Sequence, residues 1–324
     1  VTYYAPQMKG GDIAVPTGSS ADVKPYSWSL RDVIELGLFP YLFSDEDVSD
    51  ANFGALVLDI EQRLTEERVW ADNSVARKLR AGVLAEETFQ ALLEWLDNHG
   101  TTQFAAHHAG TVRKLYRRLF KLVVEGDGVL RRRGRAGNPL KLVATTTQDP
   151  VVVDLNALTG LPALQRFVVA TVLRRLVEAR TGTNAVRGLV YLVVLDELNR
   201  FAPRGSRDPI TQLVEQVAAE MRSQGIILLG AQQQASKVSD KVVENAAIRV
   251  VGRSGAQELD QSVWRILSPG ARRKASALPL DEKLIVQDNF REPMHVRVPF
   301  PAWAMRRDEV APEVNDDLDG IATY

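Results

Sequence analysis

Residues Tyr191 to Arg200 read YLVVLDELNR, preceded by Arg187-Gly188-Leu189-Val190. An apolar, mostly branched run this short, ending abruptly in Asp196 and Glu197, has the pattern of a buried parallel strand whose C-terminal end opens into a site. Such a strand end is the Walker B arrangement. In phosphoryl-transfer chemistry the first carboxylate holds Mg²⁺ and its water shell, and the second orients or deprotonates the water that attacks a γ-phosphate. Asp196 and Glu197 are the candidates for those tasks. A paired carboxylate also serves as a plain helix N-cap or as half of a surface ion pair, so the reading turns on what surrounds it.

Downstream, Phe201 to Arg207 reads as a loop. Asp208 then caps a helix that has Pro209 at its first position, an apolar stripe of Ile210, Leu213, Val214, Val217 and Met221, and Gly225 as its stop. Ile226 to Ala231 reads as a second buried strand, running into Gln232-Gln233-Gln234. Ile248 to Gly252, Leu284 to Val286 and Val296 to Val298 are further strand candidates. Upstream, Val151 to Asp154 is a strand, and Leu164, Phe167, Val168, Val172, Leu176 and Val177 mark the helix after it. Alternation of this kind predicts a parallel sheet with crossover helices over 141–302.

Residues 28–125 have a different period. Ser29 with Asp32 three positions on is an N-cap signal. Phe53, Leu56, Val57, Ile60 and Leu64 recur at helical spacing, as do Phe89, Leu92, Leu93 and Leu96, and Val112, Leu115, Tyr116, Leu119 and Leu122. We read this stretch as an inserted helical bundle. Residues 1–27 contribute a first strand (Val1 to Tyr4) and a loop from Gly10 to Pro25; 126–140 form a basic, glycine-containing loop; 303–324 form a polar, acidic tail.

The chain has 324 residues, 45% hydrophobic and 25% charged, enough to bury a sizeable core. A net charge of −1 means that any polyanion site is a local patch. With no cysteine, disulfides, thiolate metal sites and cysteine nucleophiles are excluded, which fits a reducing, cytoplasmic setting. No apolar run approaches membrane-spanning length and no signal peptide is visible. The four histidines make no metal spacing, and no Gly-x-Ser-x-Gly elbow is present.

Asp196-Glu197, Glu220-Met221-Arg222-Ser223-Gln224-Gly225, the strand Ile226 to Ala231 with Gln233, Ser236 and Lys237, and then Arg249 and Arg253 together resemble the HerA/FtsK group of hexameric DNA-translocating ATPases, HerA-like helicases above all. Val151 to Asp154 with Leu155-Asn156 resembles that group's hydrophobic-Asp-Leu strand. The resemblance is strong from Val151 to Arg253 and one of layout elsewhere. It implies an α/β core of the RecA-like, P-loop NTPase type carrying an inserted helical bundle. It also implies ATP and Mg²⁺ as cofactors, with Asp196 on the metal, Glu197 on the water, Gln233 as sensor, and Arg222 or Arg253 as an arginine finger reaching a neighbouring subunit. Expected partners are further copies of the chain in a homohexamer, duplex DNA, and a NurA-type nuclease.

A phosphate-binding loop needs G-x-x-x-x-G-K-[ST], and no glycine here is followed by lysine. In the order of the group that loop precedes the strand at Val1 to Tyr4, and the chain starts at Val1 inside that strand. The expectation is therefore that the loop lies upstream and that this chain alone binds ATP poorly. Arg131, Arg132, Arg133 and Arg135 suit a flexible loop that meets DNA phosphates, or a solvated surface loop. Arg113, Arg117 and Lys121 share one helix face, for which solvation is the commoner meaning. Two rival readings stay open: a non-hydrolysing scaffold, which the missing loop favours and the carboxylate pair opposes, and a conjugation or secretion pump of the same superfamily.

Overall fold

The computed structural model describes residues 1–14, 23–43, 47, 50–66, 87–140, 150–181 and 190–298. The tail beyond Trp303 and the Arg187 to Leu189 approach to the carboxylate strand lie outside them. The chain divides into two compact units, Val1–Asn245 and Ala246–Tyr324.

In the first unit, β1 (Thr2–Pro6) is flanked by β2 (Val23–Tyr26) and β3 (Val151–Val153), both parallel to it. β2 corrects the sequence reading, which assigned Gly10 to Pro25 to a loop; residues 15–22 of that loop lie outside the described residues. Pro25 discouraged a strand assignment, but β2 lies at the edge of its sheet, where a residue without an N–H is tolerated. The Tyr26 hydroxyl donates to the Asp154 carbonyl at 2.7 Å and ties the ends of β2 and β3 together. Burial pushes that hydroxyl's pKa well above the usual tyrosine range, with the Asp154 charge adding to it.

Helices α1 (Leu30–Glu35), α2 (Ala51–Glu66), α3 (Phe89–Gln103) and α4 (Ala109–Glu125) follow between β2 and β3. The Ser29 side chain accepts from the Asp32 N–H while the Asp32 carboxylate accepts from the Ser29 N–H, a complete capping box that satisfies donors the first turn would otherwise leave unpaired. Phe53, Leu56, Val57, Ile60, Phe89, Leu92, Leu96, Val112, Leu115 and Leu119 are buried in one core with Trp28 and Phe167, whose rings meet edge to face at 5.2 Å.

α5 (Pro162–Thr181) is buried or half-buried along nearly its whole length, Gln165 and Arg180 included, as in a helix enclosed by other elements. Leu164, Phe167 and Val168 at its start join the helical core, while Val169, Leu173 and Leu176 join a second core under the parallel pair β4 (Tyr191–Asp196) and β5 (Ile226–Ala231). α6 (Pro209–Glu220) covers the same face of that pair with Ile210, Leu213, Val214 and Val217. A short α7 (Asp240–Glu244) closes the unit. The fold is α/β with parallel strands, as the alternation predicts.

The second unit corrects the expectation that a parallel sheet runs on to residue 302. β6 (Ile248–Val251), β7 (Glu282–Gln287) and β8 (Met294–Arg297) form an antiparallel sheet, with α8 (Ala256–Leu259) and α9 (Pro269–Ser276) between β6 and β7. The strands match the apolar runs in the sequence. Helix α9, capped by Ser268, was not foreseen, because it carries few apolar residues.

Candidate active site

β4 and β5 pair in parallel with Asp196 opposite Ala231, so both strands end at one level and their following loops leave side by side. Carboxyl ends of neighbouring parallel strands are where α/β sheets place ligands. The loops are laced together: Arg204 N–H donates to Lys237 C=O at 2.9 Å, Ser239 N–H to Ala202 C=O at 2.9 Å, and Pro203 bridges Val238. Arg204 adds a two-pronged contact to Asp240 at 3.1 and 3.2 Å.

Asp196 is exposed, and one of its oxygens accepts from the Glu197 N–H at 2.9 Å. Glu197 adopts φ 50, ψ 51, the left-handed region, and among the described residues no other non-glycine residue has positive φ. L-residues rarely take this conformation, and it turns the chain sharply at the strand end. The turn is fixed from within by Leu198, Phe201 and Ala202, all buried in the core beneath β4 and β5. The Glu197 carboxylate meets the Arg200 guanidinium, and the Arg200 N–H donates to Glu197 C=O at 2.8 Å. Sequence reasoning missed Arg200; its spacing of three from Glu197 on a short turn was the available signal.

Below the loops, the Asp208 carboxylate caps α6 by accepting from Ile210 and Thr211 N–H groups, and it meets Arg166 of α5 at 2.6 Å. Burial alone would push this carboxyl up. The Arg166 charge and hydrogen bonds from Ser206, Arg166 and Thr211 outweigh burial and hold it below the usual carboxylate range.

β4 and β5 have unequal faces. Tyr191, Val193, Leu195, Ile226 and Leu228 face the core. Leu192 and Val194 are 59% and 61% exposed, and Ile227 and Leu229 are 44% and 47% exposed. The sequence reading has this strand buried on both faces, as parallel strands are; among the described residues, nothing covers the second face. By strand alternation Asp196 belongs to that open face.

The other candidates lie at several places. Gln233 is exposed, two residues past β5, while Gln232 beside it keeps a buried carbonyl oxygen without a partner. Arg222 is exposed in the turn before β5 and Glu220 ends α6. Arg222 is thus at the opposite end of β5 from Asp196, roughly 17 Å of strand away. Arg249 and Arg253 belong to the second unit, Arg253 exposed and Arg249 part-buried.

The basic loop is held rather than flexible. Residues 129–131 and 138 pair with Ser27 and Trp28; Arg131 donates to the Gln7 side chain at 3.0 Å and Arg132 to Gln90 at 2.6 Å. Arg133 and Arg135 are exposed. On α4, Lys114 and Arg118 reach the buried Asp47 at 3.3 and 3.1 Å. Among the described residues no group of three or more His, Asp or Glu could cage a metal, and no helix is long and apolar enough to cross a membrane. One exposed carboxylate at a strand end suits Mg²⁺, which keeps waters and takes one or two protein carboxylates beside substrate phosphates. The residues that would cradle phosphates are not among those described.

No family model matches the chain, and no curated protein matches it. Solved structures do resemble it. The plasmid coupling protein TrwB, in complex with the non-hydrolysable ATP analogue ADPNP, is similar with a TM-score of 0.56 at 11% identity, over 94% of this chain and 80% of that one. VirB4 of Thermoanaerobacter pseudethanolicus is similar with a TM-score of 0.53 at 15% identity, over 86% of this chain and 72% of that one. At these identities the likeness establishes the fold, the RecA-like α/β fold of P-loop NTPases.

Proposed function

We propose that this chain is the Walker B and sensor portion of an ATP-driven DNA translocase. The observation that carries the reading is the placement of Asp196 and Glu197 at the ends of paired parallel strands, on a turn held in a costly backbone conformation. Strain of that kind persists where the surrounding structure enforces it, and it clusters at functional sites. Asp196 would hold Mg²⁺, and the ion would neutralise phosphate charge. Glu197 would accept the proton of the attacking water, and Gln233, on the laced loop beside it, would sense the nucleotide.

The open face of β4 and β5 leads from Leu192 through Val194 to Asp196. A segment that covers it and carries a phosphate-binding loop would complete both the core and the site; no such segment is among the described residues. Since Arg222 lies at the far end of β5, it would act as a finger only toward a second copy in a ring, and Arg253 is the competing finger. Duplex DNA as the track, a hexameric ring, a NurA-type nuclease as partner, a cytoplasmic setting and a HerA-like role in DNA ends or defence belong to this proposal.

A second reading is a conjugation or secretion pump ATPase, favoured by the resemblance of the fold to TrwB and VirB4 across most of the chain. The scaffold reading loses ground, since a site that does no chemistry has no need of a strained Glu197. The test is Glu197→Gln in the full-length protein. ATP binding is expected to persist while hydrolysis falls at least a hundredfold, within the range for loss of a general base. Unchanged turnover would remove Glu197 from the role and return the scaffold reading. Export of DNA or of protein from cells, against repair of DNA ends, separates the pump from the helicase.

A further inference from the structure

We infer that Arg200 restrains Glu197: their ion pair is a resting state of the site, and its release precedes hydrolysis. The inference rests on the reading of Glu197 as the water activator. The contact closes within a single short turn, because the Arg200 N–H donates to Glu197 C=O while its guanidinium meets the carboxylate of the same residue. A carboxylate bonded to a guanidinium has given an oxygen and its charge to that partner, and both are what a general base offers to water.

Three features make the pair suited to release rather than to permanent fixation. First, its side chains are 42% exposed at Glu197 and 49% at Arg200, and pairs this wet hold weakly. Second, Leu198, Phe201 and Ala202 anchor the turn in the core, so parting the pair is a side-chain movement that leaves the backbone in place. Third, Arg200 has no other side-chain partner among the described residues. Arg200 acts through Glu197 and is a positioning residue.

The experiment is steady-state ATP hydrolysis without DNA by the full-length protein, comparing the parent, Arg200→Ala, Arg200→Lys, Glu197→Gln and the double variant. Nucleotide affinity is read separately with a fluorescent ATP analogue. Arg200→Ala is expected to raise kcat about two- to fivefold, the factor a half-exposed pair can hold back, with ATP affinity unchanged. Arg200→Lys, which keeps the charge but loses the planar fork, is expected to fall between parent and Arg200→Ala. The double variant is expected to be inactive. With Glu197→Gln inactive, an unchanged or lowered kcat in Arg200→Ala overturns the restraint alone. A Glu197→Gln variant that turns over like the parent overturns the water-activator reading and the restraint with it. Should Arg200→Ala fail to fold, the Lys variant decides, since a kcat at or below the parent's has the same meaning.

Discussion

Leu198 lies across Gly230 so closely that a Cβ at Gly230 would collide with the leucine Cδ2 and press on its Cγ and Cβ, at 3.2 and 3.3 Å. The buried residue next to Glu197 is thereby seated in a gap in β5, and the turn that carries the carboxylates is keyed to the neighbouring strand. Gly230→Ala is expected to destabilise the first unit by about 1–3 kcal/mol, as overpacking does. It should also lower kcat more than it weakens ATP binding, because the turn must shift. Urea unfolding beside kinetics checks this; full kcat with full stability would mean that Leu198 moves aside freely.

The Arg166–Asp208 pair predicts a pH dependence. The folded-state pKa of Asp208 is depressed, so its contribution to stability is present above the unfolded value of about 4 and is lost as pH falls through the lower folded value. Asp208→Ala removes the α6 cap and leaves Arg166 without its buried partner, at an expected cost of about 3 kcal/mol near neutral pH. The gap between parent and variant in urea unfolding should narrow at about pH 3. A gap independent of pH would show that the cap alone matters.

If Arg222 serves a neighbour's site, Arg222→Ala and Glu197→Gln should complement each other. Rings mixed from the two inactive variants are expected to recover hydrolysis, because some interfaces then pair an intact Glu197 with an intact Arg222. Recovery no greater than either parent variant would leave Arg253 as the finger to test in the same way.

The basic loop should separate into two pairs. Arg131→Ala and Arg132→Ala are expected to lower stability, by about 1 kcal/mol each, since they lose hydrogen bonds to Gln7 and Gln90. Arg133→Ala and Arg135→Ala are expected to weaken DNA binding and to reduce its salt slope by about 1 each if they meet phosphates. An unaltered slope would return the exposed pair to the solvent.

What was legible in the sequence follows from local physics. Asp208-Pro209 and Ser29 with Asp32 announce helix starts because caps act within four residues, and the apolar rows of α2, α3 and α4 announce their buried faces. β2 was hidden because edge pairing depends on a distant strand, Tyr3 with Val23 and Ala5 with Pro25. The carboxylate pair was legible as chemistry, but the left-handed turn at Glu197 and its hold by Arg200 were not. Glutamate is an unusual residue at positive φ, and the packing of Leu198 against Gly230 that accompanies the turn is a contact no local pattern announces. That Arg131 and Arg132 are occupied by Gln7 and Gln90 likewise depends on long-range neighbours.

The lacing between the loops after β4 and β5 has a consequence for how this end of the molecule opens. The amides of Arg204 and Ser239 cross from one loop to the other in opposite senses, so neither loop can leave without breaking both. They should exchange with deuterium as one cooperative body. The local breathing of Glu197's turn is then also the breathing of Gln233's, and what slows one slows the other.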